Sequence, residues 1–79
     1  MTLAELSQGE SGEVLSVGGC DEVTVRLLEM GLTPGIVIKH IRSAPLGDPR
    51  EFELRGYRLS LRQSEAARVE IVRAPSGRT

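Results

Sequence analysis

From residue 51 onward, apolar side chains fall on every second position. Phe52 and Leu54 alternate with Glu51, Glu53 and Arg55; Tyr57, Leu59 and Leu61 alternate with Arg58, Ser60 and Arg62; Val69 and Ile71 flank Glu70. A period of two belongs to a strand with one face in a core and the other in water. No helix collects these side chains on one side, so the second half of the chain has to be sheet. Gly56 separates the first two runs, which therefore read as a tight hairpin. The charged faces are the solvated sides of these strands, and that accounts for Arg55, Arg58 and Arg62.

Two earlier stretches also read as strands. GEVLSV (12–17) ends at the turn signal Gly18-Gly19, and GIVIKHIR (35–42) is rich in β-branched residues. In the second, Ile36, Ile38 and His40 share one side and Val37, Lys39 and Ile41 the other, so both faces are expected to be partly covered. Between them DEVTVRLLEMG (21–31) breaks the alternation. Val23, Leu27 and Met30 form a helical stripe, Asp21 suits the N-cap, and Glu22 suits the positive end of the helix dipole. Gly31 suits the left-handed position after the last turn, with Leu32 folding back onto it, and Thr33-Pro34-Gly35 prevents continuation. A helix this short needs the sheet beneath it. Leu28 and Met30 are read as core side chains first and as partner contacts second.

A smaller helical turn is expected after Ser64, through Glu65, Ala66 and Ala67. Another is expected in TLAEL (2–6), where Leu3 and Leu6 plug one end of the sheet. Small sheets avoid bare edges by curling. The expected fold is mainly β: a small barrel of about five strands with one short α-helix inserted after the first strand. One domain covers residues 1–72, and residues 73–79 (RAPSGRT) are expected to be a mobile tail.

The 79 residues suffice for one domain. With 39% hydrophobic and 27% charged residues the composition is globular, and no apolar run has the length of a spanning helix. The start, MTLAELSQGE, lacks the basic and apolar regions of a signal peptide. A single cysteine, Cys20, forms no internal disulfide; together these features point to the cytoplasm. Residues 1–35 carry six acidic residues against Arg26 alone, while residues 36–79 carry nine basic and five acidic ones. A small β domain interleaves its halves, and Phe52 and Tyr57 are too few for a base-stacking platform, so no nucleic-acid partner is expected. Membrane insertion is not expected either.

Catalytic and metal constellations are excluded by residue count. One His and one Cys do not make the usual zinc site, and no loop has the ligand spacing of a calcium site. His40 is read as a packed or rim residue and Cys20 as an inert thiol, although Cys20 precedes a helix N-terminus. No Ser-His-Asp set or phosphate-binding loop is present. The chain reads as a binding module, with no enzyme activity, no cofactor and no stoichiometric ferrous iron site.

One loop remains without a purely architectural reading. APLGDP (44–49) joins two strands and carries Leu46 between two prolines. Pro45 and Pro49 fix φ, Asp48 is held extended before Pro49, and Gly47 permits a turn. Leu46 then either stands out as an apolar anchor or folds back over the barrel mouth onto Tyr57 or the helix.

The residues LLEMGLTPG (27–35), SAPLGDP (43–49) and LRGYRLSLRQSEAARVEI (54–71) together resemble the FeoA family, over about residues 2–72. His40, where an apolar residue would be more natural, and the tail after Val72 depart from the resemblance. The resemblance implies an SH3-like β-barrel in the bacterial cytoplasm. It also implies a role in ferrous iron uptake as partner of the membrane transporter FeoB, whose cytoplasmic part is a GTP-binding domain. On it, Leu46, Gly47, Asp48, Pro49, Tyr57, Leu28 and Met30 are the candidate partner-binding residues, and weak homo-oligomerisation is left open. The alternatives are a detached regulatory SH3-like domain of the iron-dependent repressor type and a small nucleic-acid-binding barrel using Arg55, Arg58 and Arg62.

Overall fold

The structure, a computed structural model, describes residues 1–74. Its order is a 3-10 turn (Leu3–Glu5), β1 (Ser11–Val17), α1 (Glu22–Glu29), β2 (Val37–Ser43), β3 (Arg50–Leu54), β4 (Tyr57–Leu61), α2 (Gln63–Ala66) and β5 (Val69–Arg73). The alternating runs are the strands they were read to be. Arg55 (φ 50°) and Gly56 (φ 82°) form a two-residue turn between Leu54 and Tyr57. Two left-handed residues give that turn the twist that a tight hairpin requires.

All strands pair antiparallel in one sheet of order β4-β3-β2-β1-β5. The register shifts between Val14 and Ser16 in β1 and between His40 and Arg42 in β2. Such bulges bend a strand and increase its twist. The five strands all contribute to a single core, where Val14, Ile38, Phe52, Leu61 and Ile71 pack with Leu27, Leu32 and the end plugs Leu3 and Leu6. The hydrogen-bonded ladder itself is not closed, because β4 and β5 are the two ends of the sheet.

Three expectations need correction. β2 is one-sided: Ile38 and His40 are buried while Val37 and Lys39 are exposed, because no element among the described residues covers that outer side. The inward side of α1 is centred on Leu27 and Thr24, both buried, with Val23 and Met30 at its border. Leu28 lies about 100° further round the helix and is 39% exposed, so it is a surface residue and not a core one. Finally, β5 runs through Arg73, and the N–H of Ala74 still donates to the carbonyl of Ser11 at 2.9 Å, so the ordered domain passes residue 72. The remainder of the expected tail, 75–79, lies outside the described residues.

The two ends of α1 form as the sequence implies. At its start, Asp21 accepts from the Thr24 N–H at 3.2 Å, and the Thr24 hydroxyl donates to the carbonyl of Gly18 at 2.7 Å. At its end, Gly31 N–H donates to Leu28 and Leu32 N–H donates to Leu27, the paired bonds of a glycine-terminated helix.

Arg68 forks onto the Asp21 carboxylate at 2.6 and 3.0 Å, tying the start of α1 to the segment before β5. The Arg68 hydrogen bond, followed by the Thr24 N–H, holds the Asp21 carboxyl at about 2, below its ordinary 3.8. A carboxylate held below its unfolded value stabilises the fold fully above that value and loses the contribution as pH falls through the folded one. Asp21→Asn keeps a capping oxygen but removes the charge. Its stability deficit is therefore expected at neutral pH and should shrink as pH falls from about 4 towards 2. Denaturant midpoints of both proteins across that range test this, and a deficit equal at pH 7 and pH 2 would sink it.

Candidate partner-binding surface

The loop between β2 and β3 is built to keep its shape. Gly47 N–H donates to the carbonyl of Ala44 at 2.7 Å, which makes Ala44-Pro45-Leu46-Gly47 a turn with Pro and Gly at the positions such turns favour. Ala44 N–H donates to the carbonyl of Pro49 at 2.9 Å and closes the base of the loop. The Asp48 carboxylate accepts from Gln63 N–H at 2.7 Å, using one of the N–H groups that the start of α2 leaves free. The Asp48–Pro49 peptide bond is cis. Leu46, at the tip, is 96% exposed. It does not fold back onto Tyr57 or α1, so the second reading of that residue is excluded. Beside the loop a shallow cleft is lined by Ala44, Pro45, Pro49 and Ser60, with the Arg42–Glu51 ion pair (2.8 Å) along it.

Tyr57 belongs to a different place. It is 44% exposed, and its hydroxyl donates to the carbonyl of Met30, the residue that ends α1. Tyr57 pairs with Leu54 at the turn end of the β3–β4 hairpin, whereas Arg50 pairs with Leu61 at the loop end. Those four residue steps separate the two ends by about 13 Å of strand. The seven candidates thus form two groups. Leu46, Gly47, Asp48 and Pro49 sit at one end of the hairpin. Tyr57, Met30 and the exposed Leu28 gather around the C-terminus of α1 at the other. Within the first group Asp48 braces the loop.

Two contributors to this architecture had no local signal. Gln63 reaches Asp48 across fifteen positions of sequence. His40 is only 3% exposed; its Nδ1 lies 2.9 Å from the carbonyl of Leu6, its Nε2 lies 3.2 Å from the Ser43 hydroxyl, and its ring is 5.1 Å from that of Phe52. A carbonyl only accepts, so Nδ1 carries a proton, and in the neutral ring Nε2 accepts from Ser43. An apolar residue fits the parity of this position but leaves the Leu6 carbonyl without its donor. His40→Leu is therefore expected to destabilise the fold by roughly 1–3 kcal/mol. The denaturant midpoint measures this, and an unchanged value would mean that the ring serves only as packing.

Among the described residues, no three His, Cys, Asp or Glu side chains are grouped as metal ligands, and no helix is long and apolar enough to cross a membrane. The profile of the FeoA domain matches residues 1–73. The chain belongs to the FeoA family. It is 37% identical over 71 residues to the Fe(2+) transport protein A/Fe(2+) transporter FeoB fusion protein of Porphyromonas gingivalis, a match covering 90% of this chain and 8% of that protein. The chain therefore spans a small part of that relative. The crystal structure of a Stenotrophomonas maltophilia FeoA complexed with zinc, described as a prokaryotic SH3 domain protein, superposes with a TM-score of 0.80. Identity there is 35%, covering 90% of this chain and 88% of that one. The SH3-like architecture is thus shared with a FeoA. A manganese-dependent transcriptional repressor complexed with manganese superposes with a TM-score of 0.84 at 13% identity, covering 94% of this FeoA chain and 36% of that chain, a likeness of fold alone.

Proposed function

We propose that this FeoA chain is a non-catalytic cytoplasmic accessory protein of ferrous iron uptake that binds a FeoB-type transporter. The observation that carries the reading is the fusion protein, in which a FeoA-like segment and a FeoB transporter share one polypeptide. Fusion holds two modules at high effective concentration without any new contact. A docking contact would still be needed to hold the modules in one arrangement, and the braced loop with an almost wholly exposed Leu46 offers an apolar anchor at low cost in ordering.

Other features support the same reading. Among the described residues Cys20 stands exposed with no hydrogen-bonded base, and the imidazole that the Ser43 hydroxyl meets, His40, is only 3% exposed and held by the Leu6 carbonyl, closed off from a substrate. Five of the described arginines are ion-paired within the fold, Arg55 and Arg62 not among them: Arg42 and Arg58 share Glu51, Arg26 pairs with Glu65, Arg68 with Asp21 and Arg73 with Glu10. Of the three arginines of the nucleic-acid alternative this pairing engages Arg58, which reduces the positive field offered to a phosphate backbone. The repressor-type alternative rests on fold likeness alone.

The test is direct binding of the purified chain to the cytoplasmic GTP-binding domain of the transporter, by calorimetry and by co-elution. A saturable complex is the expected result. Absence of both heat and co-elution at concentrations of about 100 μM, where a complex with a Kd of about 10 μM or tighter is mostly formed, would overturn the reading.

A further inference from the structure

The two outer edges of the sheet differ. Along β5 the edge is covered: Ile71 N–H donates to the carbonyl of Met1 at 2.8 Å, and Thr2 bridges to Glu70. Along β4 it is bare. The hairpin register pairs Leu54 with Tyr57, Phe52 with Leu59 and Arg50 with Leu61. In a two-residue hairpin the pair next to the turn exchanges hydrogen bonds, and bonded pairs then alternate with unbonded ones. Tyr57, Leu59 and Leu61 therefore direct their backbone groups to β3, while Arg58 and Ser60 direct theirs outward. Those two N–H and two C=O groups have no backbone partner among the described residues. Among the described residues β3 is the element that packs extensively along β4.

We propose that β4 pairs antiparallel with β4 of a second copy of this chain, about a two-fold axis at Leu59. Three in-phase registers bring the outward groups of both copies face to face. Centring on Arg58 places Arg58 directly opposite its own counterpart. Centring on Ser60 places Arg58 opposite Arg62 of the second copy. Like charges in that position are destabilising. Centring on Leu59 sets Arg58 opposite Ser60 of the second copy and Ser60 opposite Arg58 of the second copy, and four backbone hydrogen bonds form. Leu59, half-buried on the inner side, then meets its own counterpart as an unbonded pair, the kind in which side chains approach most closely. A one-residue slip turns the inner side of one copy outward. The order of residues in Tyr57-Arg58-Leu59-Ser60-Leu61 therefore selects one self-pairing and disfavours its neighbours. The contact is a single strand of five residues, so the dimer is weak and appears at high concentration.

The experiment is sedimentation equilibrium into the millimolar range, with amide exchange followed at low and high concentration. A monomer–dimer equilibrium is expected, with the Arg58 and Ser60 amides protected in the dimer alone. Ser60→Arg separates this from any effect on folding. Within one copy, residue 60 faces Glu51 on β3, so the variant should fold at least as stably as the parent. Across the two-fold it sets an arginine opposite Arg58 of the second copy twice, which should weaken dimerisation roughly tenfold. Ser60→Pro, which removes an outward N–H and nothing from the β3 ladder, should weaken it as well. A strict monomer at millimolar concentration overturns the proposal. So does a dimer that both variants leave unchanged, or one in which the Arg58 and Ser60 amides stay unprotected.

Discussion

Gly31→Val is expected to lower the stability of the fold by about 2 kcal/mol or more. Gly31 has φ 105°, a backbone conformation that L side chains rarely adopt and that a β-branched one tolerates least. At that angle its N–H reaches the carbonyl of Leu28 and the next N–H reaches Leu27, so the last turn of α1 depends on it. A Cβ there would lie 3.1 Å from the Tyr57 hydroxyl and 3.6 Å from a methyl group of Leu54. The first distance is tight, and relieving it moves the hydroxyl that donates to the carbonyl of Met30. The substitution therefore strains the backbone and loosens the tie between α1 and the β3–β4 hairpin. Chemical denaturation measures the effect, with Gly31→Ala as the smaller change that keeps the backbone penalty and omits the branch. A valine variant with the midpoint of the parent would mean that α1 can end without a left-handed residue.

Leu46→Ala is expected to weaken binding to the transporter's cytoplasmic domain by about 2 kcal/mol, the cost typical of truncating an interface anchor. The same change should leave stability within about 0.5 kcal/mol of the parent, as for other exposed positions. The asymmetry follows from exposure. Truncating a buried leucine costs about 2–5 kcal/mol, but Leu46 is 96% exposed and has little to lose in the free chain. The loop keeps its form without that side chain, because the Ala44–Gly47 and Ala44–Pro49 bonds and the Asp48–Gln63 bond all run through backbone atoms or through Asp48. On the proposed interface Leu46→Asp should weaken binding further, since a charge would take the place of an apolar anchor. Thermal unfolding and calorimetric titration on the same variants decide the matter. Unchanged affinity for both variants would leave the loop as architecture and move attention to Leu28, Met30 and Tyr57 around the end of α1.

Much of the fold is legible from local spacing. The alternation at Phe52–Leu54, Tyr57–Leu61 and Val69–Ile71, the cap at Asp21 and the stop at Gly31 each depend on residues within a few positions of one another. Backbone geometry converts such spacing directly into strand, cap and turn. The FeoA resemblance rested on the same stretches, and the match over residues 1–73 agrees with it. Leu28 shows where spacing fails. A stripe through Val23, Leu27 and Met30 marks the side of a helix that turns inward, yet it leaves the position beside Leu27 unassigned until the sheet beneath is in place.

The candidate site was only half legible, for the same reason. Sequence alone establishes that residues 44–49 form a stiff loop with a leucine between two prolines, because proline and glycine restrict or free their own dihedral angles whatever surrounds them. Whether that leucine faces water depends on what lies above it, and only the assembled sheet shows that nothing among the described residues does. Likewise only the fold shows that Asp48 is held by Gln63, that Tyr57 closes on Met30 at the far end of the hairpin, and that His40 answers the carbonyl of Leu6. These contacts join residues 15, 27 and 34 positions apart. Polar contacts of that range carry no periodicity, since they arise from the docking of whole elements; the free edge of β4 has the same origin.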